Sequence, residues 1–358
     1  MKKITWCLLL SLFALLCGCQ KAEEAEKETG IKSSVSKANY CITDRGILYK
    51  NYENQRVEFL DYASEEYYPL CALPNCRHDD NNCTAVALNK ADFFCGYQQH
   101  WYYVKSGADN SGEIYEVGLD GTEAKKVGDF SCRANLSGNT VVRNGKLYLA
   151  TCEDHLDENY QWTGTDSCIL EYDLSTGQER ILREKQEAMR PTYEILGLWE
   201  NLLIYSQWDG SQKMLKQLDL EEETDTLVKE GNLVNAGMTG NNLVFCMLEG
   251  DTPFLYRLDL QKGTTQELGE GYLQDSFWNG DVQMITVSET AEGDAISYEI
   301  TEGEWREIRG YNKEERFVPY AQSGDILVGH YGETGTAWMD KEDYLEGNTN
   351  WHVLIPTQ

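Results

Sequence analysis

Basic residues are scarce in this chain: 31 Lys and Arg stand against 60 Asp and Glu, a net charge of -29. A field of that sign repels phosphate backbones and anionic headgroups, so nucleic acid is excluded as a partner and a membrane is not bound through charge. Beyond residue 16 no apolar run is long enough to span a bilayer. Proline occurs six times, and no stretch of about twelve residues shows a helical period, which excludes a helical fold. Enzyme signatures are missing as well. There is no Gly-x-Ser-x-Gly elbow, no His-Glu-x-x-His, no phosphate loop, no dinucleotide fingerprint and no sialidase-type Asp box. Histidine is limited to His78, His100, His155, His330 and His352. They are scattered along the chain, and His100 and His330 are read as packing or solvent-facing. A pair of glycosidase carboxylates could hide among so many acids, but nothing singles one out.

What is present begins at the N-terminus. Met1-Lys2-Lys3 is a short basic stretch, and residues 4–16 are nearly all apolar and uncharged. That length suits a signal h-region better than a permanent span. It ends in Leu16-Cys17-Gly18-Cys19, which resembles the lipobox of bacterial lipoproteins. The resemblance implies diacylglycerol on the Cys19 thiol and cleavage before Cys19, with the lipid as the only membrane anchor. Residues 1–18 are therefore expected to be a leader. Losing Lys2 and Lys3 lowers the charge from -29 to -31, an acidity that suits solubility at a cell surface. Residues 19–38 carry Glu23, Glu24, Glu26, Lys27 and Glu28 with few apolar groups. Such a segment buries too little surface to offset its ordering entropy, so a flexible tether is expected there.

From residue 39 to 358 a repeat runs through the chain. A turn with Gly or Asn and then an apolar strand recurs at Gly46-Ile47-Leu48-Tyr49, Gly145-Lys146-Leu147-Tyr148, Asn201-Leu202-Leu203-Ile204, Asn242-Leu243-Val244, Gly280-Asp281-Val282 and Gly324-Asp325-Ile326-Leu327, with Gln99-His100-Trp101-Tyr102 as a variant. A second strand often ends in an acidic or Gly turn, as at Asp120-Gly121-Thr122, Asp173-Leu174-Ser175 and Asp259-Leu260. With a strand before and a strand after, each unit has four strands, A to D, rich in Tyr, Val, Leu and Ile. One unit cannot bury both faces alone, so the units must close a ring. The expected fold is all-β, a seven-bladed β-propeller; six or eight blades also fit the degenerate repeats. A pair of β-sandwiches is the rival architecture and leaves the seven similar units unexplained.

Three stretches carry a family resemblance. They are the lipobox with its Glu/Lys tether, the run Pro69-Leu70-Cys71-Ala72-Leu73-Pro74-Asn75-Cys76-Arg77-His78-Asp79-Asp80 followed by Cys83, and the ending Ala337-Trp338-Met339-Asp340-Lys341-Glu342-Asp343-Tyr344 with Gly347 and Asn350-Trp351. The chain resembles surface lipoproteins of gut clostridia whose propeller is similar to that of low-density-lipoprotein-receptor-related proteins. The resemblance implies a propeller on the outer face of a bacterial membrane and says almost nothing about chemistry. The receptor propellers' Tyr-Trp-Thr-Asp signature is absent, so receptor ligands are not carried over.

Two constellations stand out. Cys71, Cys76, His78 and Cys83 form the densest set of soft ligands. An exported chain favours oxidation, so a loop stapled by a disulfide is the first expectation. Three thiolates and an imidazole can also close a zinc site, although one residue between Cys76 and His78 is tight. A reactive thiol is a third reading. Of twelve cysteines, Cys7 and Cys17 leave with the leader and Cys19 takes lipid, so nine remain. Cys152 and Cys168 flank the longest B–C loop, residues 153–167, and are expected to be bonded across the hairpin. That loop carries Tyr160 and Trp162 among acidic neighbours, suited to stacking on a sugar ring and accepting its hydroxyl hydrogens, or else to folding back over the blade. The cysteine-rich insertion, this loop and Trp208 are expected on one face, opposite the short A–B and C–D turns.

The sequence thus predicts a monomeric, non-catalytic binding or scaffold module for an extracellular glycan, peptide or protein. The alternative is a propeller glycoside hydrolase or polysaccharide lyase. Fold alone does not name the ligand.

Overall fold

The structure, a computed structural model, describes residues 31–355 with breaks at 32, 38–39, 52–53, 65, 107–111, 123, 131–137, 190–191, 240, 272, 274, 280–281, 289–294, 302–303, 308–316, 324 and 332–334. The expected leader, Cys19, the first part of the tether and the turns at Gly280-Asp281 and Gly324 lie outside the described residues.

After a first strand β1 (Ser33–Lys37), the strands fall into consecutive antiparallel groups of four. The first group is β2 (Tyr40–Thr43), β3 (Gly46–Asn51), β4 (Arg56–Asp61) and β5 (Glu66–Pro69). The second, after a short helix α1 (Thr84–Leu88), is β6 (Phe93–Tyr97), β7 (His100–Ser106), β8 (Gly112–Gly118) and β9 (Lys125–Phe130). The third is β10 (Thr140–Arg143), β11 (Lys146–Leu156), β12 (Trp162–Asp173) and β13 (Glu179–Ala188). The fourth is β14 (Tyr193–Trp199), β15 (Leu202–Trp208), β16 (Lys213–Asp219) and β17 (Asp225–Lys229). The fifth is β18 (Asn232–Thr239), β19 (Asn242–Glu249), β20 (Thr252–Asp259) and β21 (Thr264–Glu270). Then come β22 (Asp275–Asn279), β23 (Val282–Ser288), β24 (Ala295–Thr301) and β25 (Glu304–Glu307). Last are β26 (Phe317–Ser323), β27 (Ile326–Tyr331), β28 (Gly335–Asp340) and β29 (His352–Ile355), with helix α2 (Lys341–Glu346) before β29.

The first strands of successive groups neighbour one another from β2 through β6, β10, β14, β18 and β22 to β26, and β26 returns to β2. The fold is therefore an all-β ring of small sheets, a β-propeller. By hydrogen bonding the described residues form six sheets where seven were expected. The reason is β1, which pairs antiparallel with both β2 (Val35 opposite Ile42) and β10 (Val35 opposite Val141) and fuses the first and third groups into one nine-stranded sheet. This corrects the tether boundary too. Residues 33–37 are strand, and Ile31 exchanges backbone hydrogen bonds with Gln98 at 2.8 and 2.6 Å.

Sequence explains the layering. Inner strands are covered by neighbouring groups on both faces, so β3 (GILYKN) and β4 (RVEFLD) read as near-continuous apolar runs and are buried on both sides. Outer strands such as β17 and β21 are mostly exposed. Between groups the faces meet in apolar clusters: Phe59, Phe94, Trp101 and Val117 between the first and second, and Tyr148, Ile169, Tyr193 and Tyr205 between the third and fourth. The recurring acidic turn has a definite role. The last residue of the third strand accepts two backbone N–H bonds at 2.9–3.0 Å in four groups, at Asp61, Asp173, Asp219 and Asp259, and so closes the turn into the fourth strand.

Candidate functional site

Leu70 leaves β5 with its N–H bonded to Val57 O at 3.1 Å, and residues 71–92 then bridge to β6 through α1. The Ala72 N–H reaches the Gly121 carbonyl in the turn after β8, at 3.4 Å. A side chain at Gly121 has no room, because a Cβ there would lie 2.5 Å from the Leu70 carbonyl carbon and φ is +79°. The insertion thus sits on the outer seam between the first two groups, against a short turn.

Within the insertion the structure brings Cys71, Cys76, His78 and Cys83 together, with one ligand atom from each within 4.8 Å of every other. The expected disulfide is absent, for all three cysteines are free thiols. The tight Cys76–His78 spacing works because Asn75 (φ 57°) and His78 (φ 56°) are both left-handed. The His78 ring comes back on the cluster, with Nδ1 3.3 Å from Cys83 Sγ, and the His78 N–H donates to Cys76 Sγ at 3.4 Å. Burial acts to raise the Cys71 thiol. The Leu73 N–H, the Cys83 thiol, the Thr84 N–H and the Cys76 thiol outweigh that and hold it below its ordinary value. Burial pushes the Cys83 thiol up to about 11, against the N–H groups of Val86 and Ala85.

Residues 153–167 are not a loop but a hairpin arm. β11 and β12 run on together to the pair Leu156–Trp162, and β13 follows them as far as Thr165–Ala188. The tip is fixed by Asp157, which accepts N–H bonds from Asn159 (2.8 Å) and Gln161 (2.9 Å) that hold its carboxyl below the usual range. Tyr160 sits at this tip with φ 61° and 83% of its surface exposed. Trp162 is 40% exposed, and its Nε1–H donates to Thr165 Oγ1 at 3.2 Å, while the Thr165 hydroxyl donates to Asp154 at 2.5 Å. His155 Nε2 lies 2.9 Å from Asp166 Oδ2. The aromatics therefore stand out from the sheet and do not fold back over the blade. Trp208 ends β15 in the next group, half-buried, with its N–H on Thr192 O at 2.8 Å. It is on the same face as the arm.

The expected Cys152–Cys168 bond is corrected by the register. Thr151 is directly opposite Cys168, and Cys152 is opposite Ser167. Side chains alternate along a strand, so the two thiols point to opposite faces of the sheet. They are not joined by a disulfide, and Cys168 Sγ is 3.1 Å from Thr151 Oγ1. Non-reducing peptide mapping of the exported chain is expected to find no Cys152–Cys168 link, and recovery of that cross-linked peptide pair would overturn the register.

Sequence reasoning passed over Cys41 and Cys95, both fully buried on the inner strands β2 and β6. Burial pushes Cys41 up to about 12 and Cys95 well above an ordinary thiol. They are inert packing residues. A cavity of about 190 Å³ also opens between the first two groups, lined by Phe59, Tyr68 and Trp101 with Ile31, Arg45, Leu119 and Asp120. Among the described residues the buried carboxylates are Glu58 and Glu171. Glu58 accepts from Tyr49 (2.8 Å), Asn51 (3.0 Å) and Arg56 (2.7 Å). Burial pushes Glu171 up, but Lys146 at 3.0 Å and Arg180 at 3.2 Å outweigh that and hold it below the usual range. Each is tied to cations as a structural group.

The fold and these sites define a β-propeller with a cysteine–histidine insertion and a projecting aromatic hairpin. No family model matches the chain, and no curated protein matches it. Among solved structures it is similar to an oligogalacturonate lyase from Vibrio parahaemolyticus, at 11% identity and a TM-score of 0.55, over 83% of this chain and 87% of that one. It is also similar to an oligogalacturonate lyase in complex with manganese, at 13% identity and a TM-score of 0.51, over 82% and 86%. A third similar structure is an acylaminoacyl peptidase from Pyrococcus horikoshii, at 12% identity and a TM-score of 0.52, over 88% of this chain and 52% of that one. At such identities the likeness is one of fold.

Proposed function

We propose that this chain is an exported lipoprotein, held at the outer face of a bacterial membrane by lipid on Cys19, whose propeller binds an extracellular glycan, peptide or protein without transforming it. In this reading the nine-stranded sheet is two blades joined by β1, which makes seven blades in all. The observation that carries the reading is the direction in which the chain enters the ring. Ile31 pairs with Gln98 in the turn between β6 and β7, and Ser33 lies opposite Arg143 at the end of β10. Both positions belong to the face of short turns. The arm with Tyr160 and Trp162 projects from the other face, away from a membrane attached through the tether.

An exposed tyrosine in a left-handed backbone is sterically unfavourable for a bulky residue, and such positions cluster at ligand clamps. Flat rings with fixed hydrogen-bonding neighbours suit a sugar ring or an aromatic peptide side chain. The lyase alternative draws on the fold of two neighbours alone, and both buried carboxylates described here are already tied to cations. The test is a glycan and peptide array probed with the full chain in detergent. A captured ligand is expected to lose about tenfold in affinity with Tyr160→Ala and Trp162→Ala together, about 1.4 kcal/mol, while the melting temperature holds. Unchanged affinity in the double variant, or cleavage of the captured glycan, would end this reading.

A further inference from the structure

We infer that Cys71, Cys76, His78 and Cys83 bind a structural zinc ion that locks residues 71–92 onto the seam between the first and second groups. The donor set comes first. Three sulfurs and one imidazole nitrogen already converge within 4.8 Å of one another. Tetrahedral zinc with sulfur at about 2.3 Å holds its sulfurs about 3.8 Å apart, so the four side chains need only close in slightly on an ion. A disulfide would use two sulfurs and leave the third sulfur and the imidazole converging on nothing.

The surroundings suit thiolates. The His78 N–H donates to Cys76 Sγ at 3.4 Å, and His78 Nδ1 lies 3.3 Å from Cys83 Sγ. Metal-bound sulfur is a thiolate and accepts such bonds. The left-handed turns at Asn75 and His78 bring the second and third ligands round on a short spacing.

No apolar side chain of residues 72–82, the middle of the insertion, is buried. Its ends are anchored, since Leu70, Leu88 and Ala91 are buried in the cluster around Trp101. Between them, Leu73 is 48% exposed, and residues 72–75, 77 and 79–82 are exposed. Helix α1 has five residues, too few to persist without tertiary support. With all four positions filled by protein, the site leaves no open place for water or substrate, which is the pattern of a structural and not a catalytic zinc.

The test starts with metal analysis of the full chain purified in detergent with its thiols kept reduced. About one zinc per chain is expected. Cobalt put in its place is expected to show the intense visible bands of a tetrahedral thiolate site. Cys76→Ser and His78→Ala should each lower zinc affinity at least about tenfold. Should either variant fail to fold, chelation of the unmodified chain serves instead. It should raise amide exchange across residues 71–92 and leave β15, β16, β19 and β20 protected. Free thiols with no bound metal, an octahedral cobalt spectrum, a disulfide among the three cysteines in chain isolated from cells, or unchanged exchange on chelation would each overturn the proposal.

Discussion

A chain shortened to begin at Asn39 is expected to melt far below the full chain and to aggregate. The cut removes Ile31 and β1, and with them the pairing of β1 to two inner strands at once, from Ser34 opposite Thr43 to Lys37 opposite Tyr40 and from Ser33 opposite Arg143 to Ser36 opposite Thr140. It leaves the edges of β2 and β10 without a partner, and an open edge is a template for pairing with another chain. It also removes Ile31, which is 1% exposed and packed in the cluster with Phe59 and Trp101. The Ser34 hydroxyl that accepts from the Gly96 N–H at 2.9 Å goes as well, so a buried donor loses its acceptor. Ile31→Ala alone should cost about 2–5 kcal/mol, the range for a large aliphatic side chain removed from a core. Thermal melting and size-exclusion chromatography of the truncated, substituted and full chains check this. A truncated chain that stays monodisperse and melts with the full one would show that β1 is dispensable.

The same strand shows where reading a sequence stops. The repeats were legible because each is local: a turn residue, an apolar run and an aspartate that closes the next turn lie within a few tens of residues. β1 was not legible, because Ser33-Ser34-Val35-Ser36-Lys37 has one apolar residue and no alternation, and one of its partners lies about a hundred residues away, at Arg143. Nothing in a polar segment beside an acidic one announces that two distant edges are waiting for it. At the insertion, residue types and spacing singled out the four side chains that the structure brings together. What they could not supply was the left-handed backbone at Asn75 and His78, which makes the one-residue gap workable.

The Cys152–Cys168 pairing failed for a different physical reason. At the tip Leu156 is opposite Trp162, a register that carried straight down the arm would put Cys152 and Cys168 on one face of the sheet. An irregularity between His155 and Leu156 shifts the pairing by one residue, so that Cys152 meets Ser167. One extra residue flips every side chain below it to the other face. The count of residues between two cysteines therefore cannot settle whether they meet. The aromatic tip beyond that shift was found from the sequence because exposure at a hairpin end does not depend on parity.

Replacing Cys19 by Ser is expected to release the protein from the membrane or to leave it as an unprocessed precursor. No helix among the described residues is long and apolar enough to cross a bilayer, so in the proposed arrangement the lipid is the sole attachment. Two acyl chains hold firmly where a single chain binds only marginally, and losing both leaves an acidic domain with no electrostatic attraction to anionic lipid. The attachment is short. With β1 counted as part of the fold, residues 20–30 are all that separate the lipid from Ile31, and fully extended they reach at most about 40 Å. That leash enters on the face of the short turns, near Gln98 and Arg143, so it should keep that face toward the membrane and the arm turned outward. Fractionation of cells carrying Cys19→Ser measures the first point. Labelling of intact cells with a bulky thiol reagent measures the second, since a cysteine placed at Tyr160 should react readily and one placed at Gln98 poorly. A Cys19→Ser chain that is processed and still sediments with membranes would remove the anchor from this account, and equal labelling at the two positions would remove the orientation.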